Sequence, residues 1–403
     1  MSNIHNYPEL ISSLAAINWE KIALDCEARY RRQSRVTEAA GNYQLPPSGY
    51  PKLPPSLQLR DYQQQAVVSW FRNRGRGTLK MATGSGKTIT ALAIAAELYE
   101  RISLQVLLVT CPSCNLVQQW AGECEKFNLK PILAFESVHQ WQRQLSNQLY
   151  NIFSGSQTFL TIITTNATLI SEGLQSQLKF FPEKTLIIGD EAHNLGTSRL
   201  ASSLPRNIGL RLALSATPER YFDESGTEDL FDYFGSIIQP EFTLADAIKQ
   251  GALVSYLYYP IFVELTELEA FNYAKLTQRI GWALSDSEDL GRNPVLKSLL
   301  MQRSRLVASA TNKLIALKNL MERRLQTQHT LFYCGDGYGN FPGSDCQRQL
   351  ESVTRILGAE LGYRVNTYTA ETPLIERQKR SEEHTSEFQS HSDLVCRLLL
   401  EKK

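Results

Sequence analysis

Residues Met81 to Thr90 read MATGSGKTIT, placing two glycines, a lysine and three threonines in ten positions. Such a loop can wrap successive backbone N–H groups around a phosphate at the start of a helix, where the helix dipole also favours negative charge. Gly84 and Gly86 would supply the turn and the close approach, with Thr83 and Ser85 completing the cradle. Lys87 would reach the outer phosphates, and the Thr88 hydroxyl would hold a magnesium ion. The strict pattern begins with glycine, and Met81 stands there instead. Main-chain amides provide the grip, so that departure weakens the match only slightly. The alternative is a flexible connection with no ligand; the flanking strand and helix patterns argue against it.

A second cluster closes an apolar run, TLIIGDEAHN from Thr185 to Asn194. Hydrolysis of a bound nucleotide needs one carboxylate to anchor the metal and another to activate water. Asp190 would hold magnesium through water, Glu191 would orient and deprotonate the attacking water, and His193 would relay to neighbouring segments. An acidic tetrapeptide alone is usually just solvated. One at a strand's end downstream of a phosphate loop sits where open parallel sheets place their ligands.

These residues need a frame, and the chain supplies one by alternation. Apolar strand candidates are Thr78–Thr83, Gln105–Thr110, Phe159–Thr164, Thr185–Asp190 and Arg211–Thr217. Near-continuous apolar runs are expected where helices cover both sheet faces. Helical stretches such as TITALAIAAELYERI and NLVQQWAGECEKF lie between them, which predicts a parallel α/β domain. Upstream, Leu10, Leu14, Ile17, Ile22 and Leu24 follow helical spacing, and QLPPSGYPKLPPSLQ (Gln44 to Gln58) reads as a linker and domain boundary. Residues 266–325 are mainly helical, and α/β alternation resumes with HTLFYC, a helix near Gln347–Leu361, and YRVNTYT. The expected organisation is a helical extension and linker over 1–57, a nucleotide-binding α/β domain over 58–240 and a helical connection over 241–328. An incomplete second α/β domain over 329–379 and a non-native tail over 380–403 complete it.

At 403 residues with 42% hydrophobic and 21% charged content, the chain has the profile of a soluble globular protein of more than one domain. A formal charge of +1 announces neither nucleic acid nor an anionic membrane, so any nucleic-acid partner must be argued from sites. No apolar run reaches the roughly 20 residues a membrane helix needs, and the start lacks a secretory pattern. The expectation is a cytoplasmic protein with no membrane partner. Cys111 and Cys114 in CPSC have the spacing of half a zinc site, with Cys124 nearby, but no second pair completes it. Core thiols are the plainer reading.

With both motifs in place, the chain resembles the superfamily 2 helicases and translocases of the DEAD/DEAH-box class over most of Leu59 to about Lys379. That resemblance implies two RecA-like domains, ATP and Mg2+ as cofactors, and a nucleic-acid partner. LRDYQQQAV is similar to the family's adenine-reading segment, with Arg60 and Gln63 as nucleotide contacts. A glutamine amide can donate to and accept from one adenine edge. VTCPSCNLVQQW resembles the next motif through Pro112, Leu116, Gln119 and Trp120, and TTNATL the one after. Their loops imply strand-backbone contacts from Pro112, Ser113, Gln119, Thr164, Thr165 and Asn166, made by hydroxyls and N–H groups rather than lysine runs. LSATPER matches through Ser215, Ala216 and Thr217, whose counterparts couple hydrolysis to strand contact. LFYCGDG and YTAETPLIERQ resemble the opening of the second RecA-like domain, and the segment between looks like that of restriction-enzyme and excision-repair translocases. The branch resemblance favours DNA over RNA and implies a nuclease or repair subunit as a further partner.

The second domain's later motifs, one touching nucleic acid and one supplying arginine fingers, are not found after Arg380. The stretch RSEEHTSEFQSHSDLVCRLLLEKK closely resembles a translated sequencing adapter, so Arg397 is not taken as a finger. The expected function is an ATP-dependent helicase or translocase with turnover impaired in this chain. Two alternatives stay open: the motor fragment of a restriction system, and an ATP-binding module that does not hydrolyse. A P-loop kinase would make Gln63, the DEAH sequence and Ser215–Thr217 coincidences.

Overall fold

The computed structural model describes residues 12–33, 49–220, 223–285, 294–323, 330–335, 338–339, 347–369, 372 and 396–401. They divide into two compact units, one ending at Ser255 and the other beginning at Tyr256. Leu10, the 44–48 part of the proline-rich stretch and the Gln378–Arg380 junction lie outside the described residues.

The first unit is built on a six-stranded parallel sheet. Its strands are β1 (Arg76–Lys80), β2 (Val106–Cys111), β3 (Pro131–Ala134), β4 (Leu160–Thr165), β5 (Thr185–Asp190) and β6 (Leu210–Ser215), in the order β1-β6-β5-β2-β4-β3. Four of them, β2, β4, β5 and β6, are buried along their whole length, as expected of strands covered on both faces. The helices are α1 (Ser12–Ala15), α2 (Trp19–Gln33), α3 (Asp61–Arg72), α4 (Lys87–Ile102), α5 (Cys114–Lys126), α6 (Val138–Phe153), α7 (Asn166–Leu169), α8 (Glu172–Leu178), α9 (Ser198–Ser203), α10 (Glu224–Phe234) and α11 (Leu244–Lys249). One apolar cluster joins Trp70, Phe71, Leu92, Leu98, Val109, Trp120 and Leu214, and a second joins Leu108, Ile162 and Ile187 of the sheet to Trp141 of α6 and Phe234 of α10.

Two expectations change. The proline-rich stretch does not separate the N-terminal helix from the α/β unit. Gly49 and Lys52 donate backbone hydrogen bonds to Asn128 and Phe127, and Leu53 and Leu57 pack on the core. Ile22, Ala23, Cys26 and Tyr30 of α2 join the same cluster as Trp70 and Leu92. Glu97 of α4, wholly buried, is gripped from α2 by Arg29 at 2.9 Å and from its own helix by Arg101 at 2.9 Å. A lone buried carboxylate would be costly, so these guanidinium groups hold the two helices as one body. The unit also continues past residue 240. Phe242 pairs with Met81, and Ala247 and Leu253 pack on the core.

In the second unit, α12 (Glu267–Ser285), α13 (Pro294–Ala308) and α14 (Thr311–Glu322) precede β7 (Thr330–Cys334), β8 (Tyr338–Gly339), β9 (Gln347–Arg348), α15 (Gln349–Thr354), a π-helical turn over Arg355–Glu360 and β10 (Arg364–Tyr368). β11 (Cys396–Glu401), within the stretch expected to be non-native, lies antiparallel between β10 and β7. Leu314, Met321, Val353 and Leu357 form this unit's own small core.

Candidate functional site

Parallel pairing brings the carboxyl ends of β1, β6 and β5 side by side: Lys80 lies opposite Ser215, and Asp190 opposite Leu214. The three segments singled out in sequence therefore leave the sheet along one edge.

The loop after β1 turns through Gly84 at φ +76° and Gly86 at φ +86°, and Gly86 is the left-handed N-cap of α4. A Cβ on Gly86 would stand 2.6 Å from Gln63 Nε2, so glycine is required there for space as well as for φ. Thr83 and Gly84 are exposed and Thr88 is half-buried, while Ser85 is buried with its hydroxyl donating to the Ala82 carbonyl at 2.6 Å. Lys87, 6% exposed, points its ammonium between the Met81 carbonyl at 3.4 Å and Glu191 Oε1 at 3.9 Å. The lysine and the DEAH carboxylate share one pocket.

Asp190 is nearly buried. Its Oδ2 accepts from the Trp120 indole N–H at 2.8 Å and its Oδ1 from the Glu191 amide at 3.0 Å. Burial pushes this carboxyl above the usual aspartate range, against the pull of the Trp120 bond. Glu191 sits at φ +45°, a left-handed conformation that a non-glycine residue adopts at a cost of about 1–2 kcal/mol. The turn throws its carboxylate back toward Lys87 and places it 3.6 Å from His193 Nδ1. His193 also meets Ser215 Oγ at 3.3 Å, and that oxygen accepts from the Thr217 amide at 3.1 Å. Lysine, glutamate, histidine, serine and the Thr217 backbone thus form one continuous polar path. Met81 closes the ring through its amide, which donates to the Ser215 carbonyl at 3.1 Å.

Gln63 lies against the phosphate loop. Its Nε2 donates to the Gly86 carbonyl at 3.2 Å, and its Oε1 accepts from the Arg60 amide at 2.9 Å. Arg60 reaches the Tyr62 hydroxyl at 3.4 Å.

The opposite half of the edge is built differently. Thr164 is wholly buried and donates to the Ala134 carbonyl at 2.8 Å, and Asn166 accepts from the Thr110 hydroxyl at 2.8 Å. Thr165 caps α7, its Oγ1 accepting from the Thr168 amide at 3.1 Å. The side-chain polar atoms of Thr164, Thr165 and Asn166 thus serve the frame. Pro112 and Ser113 are half-buried and Gln119 is exposed on α5, so these three are presented at the surface.

Several participants escaped the sequence reading. Tyr62 donates to the Ser85 carbonyl at 2.6 Å and stacks on Phe242 with ring centroids 3.7 Å apart. Arg220 donates to the His193 carbonyl and to Asp223 Oδ2, the latter at 2.7 Å. Trp120 was named as a motif match, but not its bond to Asp190. Adjacency to Gln63 could have flagged Tyr62. No local signal could have flagged Phe242, which lies far along the chain from its partner.

Chemically, the site offers a cation, turned backbone amides at a helix start, and paired carboxylates of which one has a histidine neighbour. That set suits a polyanion with a hard divalent cation: each Asp190 oxygen takes one internal bond and keeps lone-pair capacity for an oxygen-liganded metal or its waters.

Residues 56–220 match the family model described as type III restriction enzyme, res subunit. Among curated proteins, the DNA 3'-5' translocase XPB2 of Sulfurisphaera tokodaii is 28% identical over 239 residues, 57% of this chain and 46% of that protein. The putative DNA 3'-5' helicase Rad25 of Haloarcula marismortui is 28% identical over 181 residues, 44% of this chain and 25% of that protein. Among solved structures, a nuclease-deletion mutant of the type ISP restriction-modification enzyme LlaGI, in complex with a DNA substrate mimic, aligns at 22% identity and a TM-score of 0.40. It covers 63% of this chain and 24% of that one. The chain spans less than half the length of these curated relatives.

Proposed function

We propose, on the premise that this chain belongs to the superfamily 2 helicase and translocase class, that it carries the ATP-hydrolysing half of a motor that moves along DNA. The observation that carries the reading is the approach of Lys87 Nζ to Glu191 Oε1, 3.9 Å apart beside a turned glycine loop.

In this reading the loop amides from Gly84 to Thr88 cradle the β- and γ-phosphates of ATP, and Lys87 neutralises their outer oxygens. Thr88 and Asp190 would hold Mg2+, which would supply charge neutralisation of the transferred phosphoryl group when bound. Glu191 orients the attacking water and takes its proton. Its left-handed backbone and its contacts with Lys87 and His193 fix the direction of that carboxylate. His193 and Ser215 carry the state of the carboxylate to Thr217 and the chain beyond it. Gln63 keeps the loop in register with α3. Because its amide already serves Gly86, reading of adenine would require that bond to rearrange. A DNA strand would run over Pro112, Ser113 and Gln119.

The test uses the chain as it stands. Calorimetry with Mg·ATP should detect binding, Lys87→Ala should abolish it, and Glu191→Gln should keep binding while ending whatever slow turnover the chain has. An intact protein that takes up no nucleotide would end this reading. A parent and Glu191→Gln variant that both bind without any turnover would favour the module that does not hydrolyse.

A further inference from the structure

The helix that presents Ser113 and Gln119 at the surface also ends its buried side on the metal-holding carboxylate. Trp120 is 1% exposed and packs in the core cluster with Leu116, Val117 and Cys124 of the same helix. Its Nε1–H donates to Asp190 Oδ2 at 2.8 Å. The Glu191 amide holds Oδ1 at 3.0 Å, so two bonds fix the plane of this carboxylate while each oxygen keeps lone-pair capacity. Of those two bonds, the Glu191 one belongs to the same strand end and moves with it. The Trp120 bond alone comes from another element, 70 residues away in sequence. Gln119, its neighbour in sequence, is exposed.

We propose that Trp120 is a positioning residue that couples occupancy of the Ser113–Gln119 surface by a nucleic-acid strand to the geometry with which Asp190 holds the nucleotide's metal. The inference rests on the reading of Asp190 given above. An indole is rigid and this one is packed on all sides, so a displacement of α5 passes into the hydrogen bond rather than being absorbed by rotamer change. Partners of this kind, bonded to a metal-holding carboxylate without touching the metal, are worth roughly 10–100-fold in metal affinity.

Trp120→Phe keeps an aromatic ring and removes the donor. Binding of a non-hydrolysable ATP analogue is titrated against Mg2+, with and without a single-stranded DNA oligonucleotide, for the parent and the variant. The parent should bind the analogue more tightly when the oligonucleotide is present. In Trp120→Phe the Mg2+ needed for half-maximal binding should rise about 10–100-fold, and the oligonucleotide should no longer change analogue affinity. In an Asp190→Asn background, Trp120→Phe should add nothing further, as expected if the two act through one bond. A variant with the parent's Mg2+ dependence and the parent's response to oligonucleotide would overturn the inference, as would a parent that ignores oligonucleotide. A parent that binds no Mg2+–analogue complex would overturn the underlying reading of the site instead. If Trp120→Phe does not fold, Asp190→Asn carries the test: loss of the oligonucleotide response supports the coupling, and its persistence refutes it.

Discussion

The two halves of the sheet's carboxyl edge start from the same kind of sequence and end differently. At the ends of β1, β5 and β6, polar residues reach across strands to one another: Lys87 to Glu191, Glu191 to His193, His193 to Ser215. At the ends of β2 and β4, Thr110, Thr164 and Asn166 turn inward, where their hydrogen bonds hold neighbouring strands together. One half leaves Glu191 and His193 partly exposed, with Glu191 on a strained backbone, and the other buries its polar groups. A polar residue closing an apolar strand is therefore no evidence of a ligand contact until its own bonds are accounted for.

The sharpest way to break this comparison is to remove one group from each half. Glu191→Gln should reduce steady-state ATP turnover by about 10²–10⁴-fold, with little change in urea denaturation midpoint. Asn166→Ala should do the reverse. Its loss leaves the Thr110 hydroxyl unpaired in the core, at about 1–3 kcal/mol read from the same urea curves, with Mg·ATP affinity unchanged. Glu191→Gly sharpens the contrast further. Relief of the φ +45° turn should raise stability by about 1 kcal/mol while turnover disappears, the signature of strain kept for chemistry.

The smallest effect is a pH dependence. Asp190 has its folded pKa raised by burial, so the folded state holds its proton to higher pH than the unfolded chain does. Its contribution to stability is fully present below the unfolded value and is lost as pH rises through the folded one. The difference in melting temperature between parent and Asp190→Asn, followed upward from pH 4 without metal, should shift against the parent over that window. A flat difference would mean the carboxyl is not held as described.

Much of this was legible in the sequence. The apolar runs located five of the six strands, because strands covered on both faces have nowhere to put polar residues. β3 escaped because it is four residues long, begins with proline and lies at the sheet's edge, where neither length nor pattern marks it. Lys87, Glu191 and His193 were named from their motifs and Ser215 from the family resemblance, and these four do meet. The fates of Thr164 and Asn166 were not legible, since a side chain's direction at a strand end depends on partners such as Ala134 and Thr110, distant in sequence. The N-terminal helix was misjudged for a related reason. Prolines at 46, 47, 51, 54 and 55 announce that a helix stops, and say nothing of whether the chain beyond it returns to the same core.

That helix has a practical consequence for anyone trimming the protein to its recognisable segments. The family match begins at residue 56, which invites a clone starting there. Such a clone would strip Arg29 from Glu97 on α4, the very helix whose first residue is Lys87, and would remove Trp19, whose ring stacks on Phe71, and the core residues Ile22 and Tyr30. A clone that keeps this clasp would have to start upstream of Trp19.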